Sequence, residues 1–218
     1  MRSWPLFDLV LRTPRLELRP VRDEDLDDLV DAALSGIHGD EVTPFPMRWN
    51  VGTPDEVRRR VLQFQWRQRS TLEPKDWTLQ LGVRFEGRIV GVQDVGATDF
   101  ALRRTVATGS WLRQDAHGQG IGTEMRAAVL LFAFDHLGAE VAETSYAEGN
   151  APSRSVSVRL GYVDNGRSRM QIAGVGDREP TVTTDHRMRL EAADLRRPDW
   201  TLQVEGWPAA RRDLLGEA

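Results

Sequence analysis

The sequence predicts one α/β domain in which a central mixed, mostly antiparallel sheet carries helices on both faces. Three observations point there. Two helical stretches near the N-terminus are followed by a run of strand-like segments. A glycine-rich stretch at residues 117–122 lies between a strand and an apolar helix, and after that helix the pattern continues strand, helix, strand, strand. The length of 218 residues gives ample core for one large domain and too little for two independent ones.

Taken in order, Leu16-Glu17-Leu18-Arg19 alternates apolar and polar as a half-buried strand does, and Pro20 closes it. Asp23 is placed as the N-cap of a helix over residues 24–35, with Leu26, Leu29, Val30 and Leu34 at helical spacing. Residues 35–50 are polar, contain Gly and Pro, and read as a loop. Thr53-Pro54-Asp55-Glu56 writes a capping box with proline at the first helical position, so a second helix runs to Ser70, its Trp66 directed at the core or a cleft. Strands follow at 77–84 and 89–95 around a Glu86-Gly87 turn, then at 105–112. The helix over 123–137 is apolar enough to require a sheet beneath it. A strand over 141–146, a helix over 153–160 capped by Gly161, and strands at 162–163, 168–172 and 181–190 complete the pattern.

Composition narrows the function. Hydrophobic residues make up 40% and charged residues 28%, the balance of an ordinary globule. No apolar run approaches the ~20 residues of a membrane helix, and Met1–Pro5 opens no signal-peptide core, so a cytoplasmic address and no membrane partner are expected. The absence of cysteine excludes disulfides, thiolate metal sites and a cysteine nucleophile. A net charge of −4 argues against direct nucleic-acid binding, and Arg58-Arg59-Arg60 reads as a solvated helix face. His38, His136 and His186 are dispersed without metal-ligand spacing, so no metal is expected.

The chemistry is concentrated in His117-Gly118-Gln119-Gly120-Ile121-Gly122 and Thr123. Glycines there let successive N–H groups turn outward, and the following helix adds its positive end, which makes a phosphate cradle. No Gly-Lys-Ser/Thr follows, so this is not a Walker loop. The third glycine comes one residue too early for a dinucleotide fingerprint, although Glu140 lies at a suitable distance downstream. A purely structural turn is the remaining alternative.

His117, Gly120 and Gly122 occupy the three positions of the Gln/Arg-x-x-Gly-x-Gly/Ala pyrophosphate loop, and the chain resembles the GNAT superfamily of acyl-CoA N-acyltransferases. His117 departs from the pattern's first residue. Asn150-Ala151-Pro152-Ser153 followed by Arg159-Leu160-Gly161-Tyr162 resembles the family's second block with the same spacing, and Leu16–Asp27 looks like the opening of the RimJ/RimL-like branch. The resemblance spans residues 10–195. It implies an acyltransferase domain over 1–195, with 196–218 as a C-terminal extension of unknown role. It also implies a sheet splayed at the cofactor cleft, between a strand over 106–112 and one over 141–146. Leu112 and Asn150 would then bond the pantetheine arm, and residues 117–123 the pyrophosphate. A backbone N–H near 111–113 would polarise the thioester.

Amine acylation needs a base for the ammonium proton and an acid for the leaving thiolate. Where many members carry tyrosine seven residues after the asparagine, this chain has Ser157, and Ser145 stands where a sister branch carries its glutamate. Ser153 matches the serine used by RimL-like members and is assigned as catalytic proton donor, with simple helix capping as its alternative. Asp94, Asp99, Glu143 and a water chain all remain open as the base. Trp111 is either core or a wall of the acyl pocket. The expected function is transfer of acetyl or another short acyl group from acetyl-CoA to a primary amine, a protein N-terminus or a small amine. A succinyl donor, a silent acyl-CoA-binding module and a dinucleotide-dependent oxidoreductase are the competing readings. A homo-oligomer is compatible with all of them.

Overall fold

The computed structural model of the chain describes residues 4–39 and 43–216. The N-terminal reading at Met1–Ser3 and positions 40–42 of the expected loop lie outside the described residues. The elements are, in order, β1 (Val10–Arg12), β2 (Leu16–Pro20), α1 (Leu26–Leu34), α2 (Pro54–Ser70), β3 (Asp76–Phe85), β4 (Arg88–Thr98), the single turn α3 (Phe100–Arg103), β5 (Thr105–Ala107) and β6 (Ser110–Leu112). Then come α4 (Ile121–Phe132), β7 (Val141–Ala147), α5 (Ala151–Leu160), β8 (Val163–Ile172), β9 (Thr181–Glu191), β10 (Gln203–Glu205) and α6 (Trp207–Leu215).

The strands form one sheet in the order β10-β1-β2-β3-β4-β5-β7-β9-β8, with β6 attached to β4 beside β5. Only the β5–β7 pair is parallel among the described strands, as a crossover through a helix requires. The β3–β4 hairpin turns on Glu86 and Gly87, both at positive φ, the two-residue geometry that matches strand twist. α2 starts on the expected reciprocal cap between Thr53 and Glu56.

Apolar side chains divide between the two faces of the sheet. On one face α1 and α2 bury Leu29, Val30, Val57 and Val61 against Val21 and Val92. On the other, the nearly all-buried α4 lies over Leu18, Leu81 and Val83, and α6 joins it through Trp207, edge-on to Phe132 at 5.1 Å. β10 pairs with β1 at the sheet edge, so residues 203–215 share this core.

Several local expectations are corrected. Asp23 does not cap α1. The helix is entered through a 3-10 turn in which Asp25, ion-paired with Arg19 and Arg84, accepts the Arg22 N–H at 2.9 Å, while Asp23 reaches across to Arg69 of α2 at 2.6 Å. Trp66 faces neither core nor cleft: it is 49% exposed. The strand expected over 105–112 is interrupted at Thr108-Gly109, and the segments at 162–163 and 168–172 are one strand, β8. β1, β10 and α6 carry no periodic pattern long enough to read.

Candidate active site

The glycine loop forms where a 3-10 turn, glycine and helix dipole meet. His117 ends a 3-10 turn over Gln114–Ala116, Gly118 and Gly120 take φ of +74° and +78°, and Gly120 caps α4. The N–H groups of Gly118, Gln119, Gly120, Ile121 and Gly122 donate to no protein acceptor among the described residues, because the first hydrogen bonds of the helix start at Thr123 and Glu124. Gly118, Gln119 and Gly120 are exposed, Gly122 is half-buried and Ile121 is buried, so the five adjacent free donors run from the surface into the helix N-terminus, an arrangement that fits a pyrophosphate. A Cβ on Gly118 would meet nothing within 4 Å, so the mouth of this cradle is open.

Behind the loop the sheet splits. β5 pairs with β7 from Thr105 to Ala107, and Thr108 N–H still reaches the Glu143 carbonyl at 2.9 Å. At Gly109 the chain turns to β4, and Ser110–Leu112 pairs with Gly91–Gln93 only. Arg113 N–H donates to Val90 at 2.9 Å, so the opposed Leu112 carbonyl points away from β4 into the opening, where the His117 ring meets it at 3.0 Å. His117 is thus folded onto the strand that the resemblance assigns to the pantetheine arm, and its ring lies across the Leu112 carbonyl.

At the start of α5, Asn150 Oδ1 accepts the Ser153 N–H at 3.2 Å as the N-cap, which leaves the Asn150 Nδ2 without a protein partner among the described residues. Ser153 is half-buried and its hydroxyl makes no hydrogen bond among the described residues, whereas Ser157 is buried and bonded to the Ser153 carbonyl. The expected cofactor residues lie on two segments, 112–123 leading into α4 and 150–153 at the start of α5, and the two helices come together where a Cβ on Gly122 would stand 3.5 Å from Val156. The Gln119 side chain is turned away to the Asp115 carbonyl at 2.8 Å, so this residue presents its backbone to the loop. Thr123 stands in the first turn of α4, and its hydroxyl has no hydrogen-bond partner among the described residues.

The other face of the same break carries a groove of about 360 Å³ lined by Asp76, Thr78, Asp94, Arg103, Thr108 and Glu143 among others. Asp94 is half-buried there, yet its carboxylate is surrounded by protein. Burial raises its pKa, against the Gly109 N–H, the Arg126 charge and the Gln80 amide, which favour the ionised form. A raised folded-state pKa adds stability below the unfolded value near 3.8 that is lost as pH climbs through the folded value. Asp94→Asn should therefore raise Tm at pH 7, and thermal melts should show that advantage shrinking as pH falls towards 3.8. Asp99 does not join the groove; it sits at φ +51° as the N-cap of α3.

Two arginines at this site carried no signal in the sequence. Arg126 is 4% exposed on α4 and donates to Gln93 of β4, Ser110 of β6 and Thr144 of β7 at 3.0–3.2 Å, pinning the three strands that diverge. Arg15, in the β1–β2 turn, bonds Glu124 at 2.7 Å and the Gln119 carbonyl at 3.0 Å, which neutralises the acid nearest the cradle. Their partners lie 16 to 109 residues away, beyond any local pattern. Trp111 completes an aromatic row with Trp49 and Phe45 at 5.4 and 5.6 Å, on the α1–α2 face.

A sheet parted beside a glycine cradle at a helix N-terminus agrees with the acyltransferase cleft that the resemblance implies. Residues 15–163 match the family described as Acetyltransferase (GNAT) domain, and the chain belongs to that family. A curated relative, "Putative ribosomal N-acetyltransferase YdaF" of Bacillus subtilis, is 25% identical over 120 residues. That match spans 55% of this chain and 63% of the relative, so somewhat less than two thirds of the relative's length is covered. Among solved structures, Mycobacterium smegmatis RimJ in complex with CoA-disulfide superposes with a TM-score of 0.67 at 20% identity, covering 88% of this chain and 91% of that one. The Microcin C7 self immunity acetyltransferase MccE in complex with acetyl-CoA and AMP gives 0.59 at 15%, covering 82% and 93%. Among the described residues no helix is long and apolar enough to cross a membrane, and no three His, Asp or Glu gather as metal ligands.

Proposed function

We propose that the chain is an acyl-CoA-dependent N-acetyltransferase that moves an acetyl group from acetyl-CoA to the amine at a protein N-terminus, in the cytoplasm. The observation that carries this reading is the placement of two unlike surfaces on opposite sides of one strand break. The cradle at 118–122 offers donors to an anion, and the groove behind it presents Asp76, Asp94 and Glu143 against a single Arg103, which suits a cationic amine. The Trp49–Trp111 wall beside Leu112 favours a short apolar acyl group over a succinyl carboxylate. The name of YdaF supports ribosomal proteins as the acceptor class. Acetyl-CoA supplies the activated thioester; Gly118–Gly122 hold its phosphates, Leu112 and Asn150 its arm, and Ser153 the departing sulfur.

The test is thiol release and peptide mass shift with acetyl-CoA and a panel of ribosomal-protein N-terminal peptides, N-acetylated controls and small amines. Acetylation of free N-terminal peptides supports the reading. Thermal stabilisation by acetyl-CoA with no turnover of any amine overturns it in favour of a binding module. Within this reading Ser153→Ala should lower kcat by about 100-fold or more and change the calorimetric Kd for CoA less than threefold. The Ser153 N–H, which takes part in the cap, is retained.

A further inference from the structure

We propose that Asp94 is the general base that takes the proton from the acceptor ammonium, an assignment that rests on the N-acetyltransferase reading above. The groove has three carboxylates on its lining, and their anchoring separates them. Asp76 lies at the first residue of β3 and accepts from the Thr98 hydroxyl at 3.1 Å, at the far end of the hairpin from Leu112. Glu143 sits on β7, where its carbonyl holds Thr108, and its carboxylate has no anchor among the described residues. Asp94 alone is fastened to the break itself. Its Oδ1 accepts the Gly109 N–H, its own N–H donates to the Gly109 carbonyl at 2.8 Å, and a Cβ on Gly109 would stand 2.9 Å from its Oδ2. The carboxylate is therefore held at the residue where the strand leaves β7, three positions before Leu112, and on the groove side of the sheet.

Position and chemistry agree. A base for an alkylammonium works best when its own pKa approaches the working pH, and burial moves Asp94 in that direction. The charged groups that face it are Asp76 of β3, Glu143 of β7 and Arg103 of α3 in the groove, with Arg126 of α4 acting through the sheet; neither α1 nor α2 contributes a lining group. In the balanced reaction Asp94 accepts one ammonium proton and later returns it to solvent. The amine lone pair forms the bond to the acyl carbon, the carbon–sulfur bond breaks with its electron pair on sulfur, and the second nitrogen proton reaches that sulfur through the Ser153 hydroxyl. The third stays on the amide.

Asp94→Asn keeps an acceptor for the Gly109 N–H, so the break is retained. With an N-terminal peptide and acetyl-CoA it should reduce kcat/KM at least 100-fold, leave the CoA Kd within twofold, and remove the lower acidic limb of the kcat/KM profile. Glu143→Gln should leave that limb in place. In the wild type the midpoint of this limb should hold steady with temperature, as a carboxylate's does and an amine's or imidazole's does not; this measurement stands even if the variant folds poorly. An Asp94→Asn protein that turns over within threefold of wild type, or a limb that Glu143→Gln abolishes, overturns the assignment alone. A wild type that acetylates no amine overturns the enzymatic reading and this assignment with it.

Discussion

Gly120→Asp is expected to abolish useful CoA binding while leaving the fold nearly intact. Gly120 sits at φ +78°, a conformation in which aspartate is among the better-tolerated side chains, so the backbone cost is on the order of 1 kcal/mol. The cost to the ligand is far larger. A new Cβ would stand 3.4 Å from Arg15 Nη2, which draws the added carboxylate towards the rim of the cradle and sets a negative charge beside the five donors. Repulsion of a pyrophosphate there and loss of the Arg15 charge act in the same direction. Calorimetric titration should show Kd for CoA weakened by a factor of ~100 or more, about 2.7 kcal/mol. Gly176→Asp is the matched control, because Gly176 also has positive φ (+55°), lies in open space and belongs to the β8–β9 connection rather than to the cradle. It should bind CoA as the parent does. Binding by Gly120→Asp within a few-fold of the parent would overturn the assignment of the loop.

Gly91→Ala should be the most damaging single methyl group in the site. Gly91 has an ordinary strand conformation, so the demand is for space: a Cβ would lie 2.1 Å from the Trp111 carbonyl oxygen and 2.9 Å from the Leu112 Cα. Both are backbone atoms of β6, and neither can swing aside as a side-chain tip does. The clash forces β6 off β4 along the three-residue pairing that opens the sheet. We expect a loss of about 3 kcal/mol, as for a strained small-to-large change, which for a domain of this size is a fall in Tm of roughly 10 °C. Acetyl-CoA turnover at a permissive temperature should fall as well, because displacing β6 misaims the Leu112 N–H and carbonyl. Thermal melts together with steady-state thiol release check both; an unchanged Tm would show that the close approach of β4 and β6 is not required.

Much of the architecture was legible because its signals are local. The capping box at Thr53–Glu56, the Glu86-Gly87 turn, the apolar run of α4 and the glycine at 161 each act within a few residues, and each appears where the sequence put it. The glycine loop was legible for the same reason: backbone freedom at Gly118 and Gly120 is written in the residues themselves. Asp23 failed as a cap because the choice between Asp23 and Asp25 was made by Arg19 at the end of β2 together with two residues from far along the chain, Arg84 of β3 and Arg69 of α2.

The sequence alone therefore determined the α/β class, the element order through most of the chain, and two local structures, the glycine turn that opens α4 and the Asn150 cap that opens α5. What the tertiary structure decided is everything that depends on partners distant in the chain. It divided the strand at Thr108-Gly109, joined residues 203–215 to the core, folded the His117 ring onto Leu112, and pinned the divergent strands with Arg126. It also separated Asp94 from Asp99 and Glu143, three carboxylates of equal standing in the sequence, because only Asp94 meets the Gly109 N–H fifteen residues away, and burial of a charged group is a property of the assembled core.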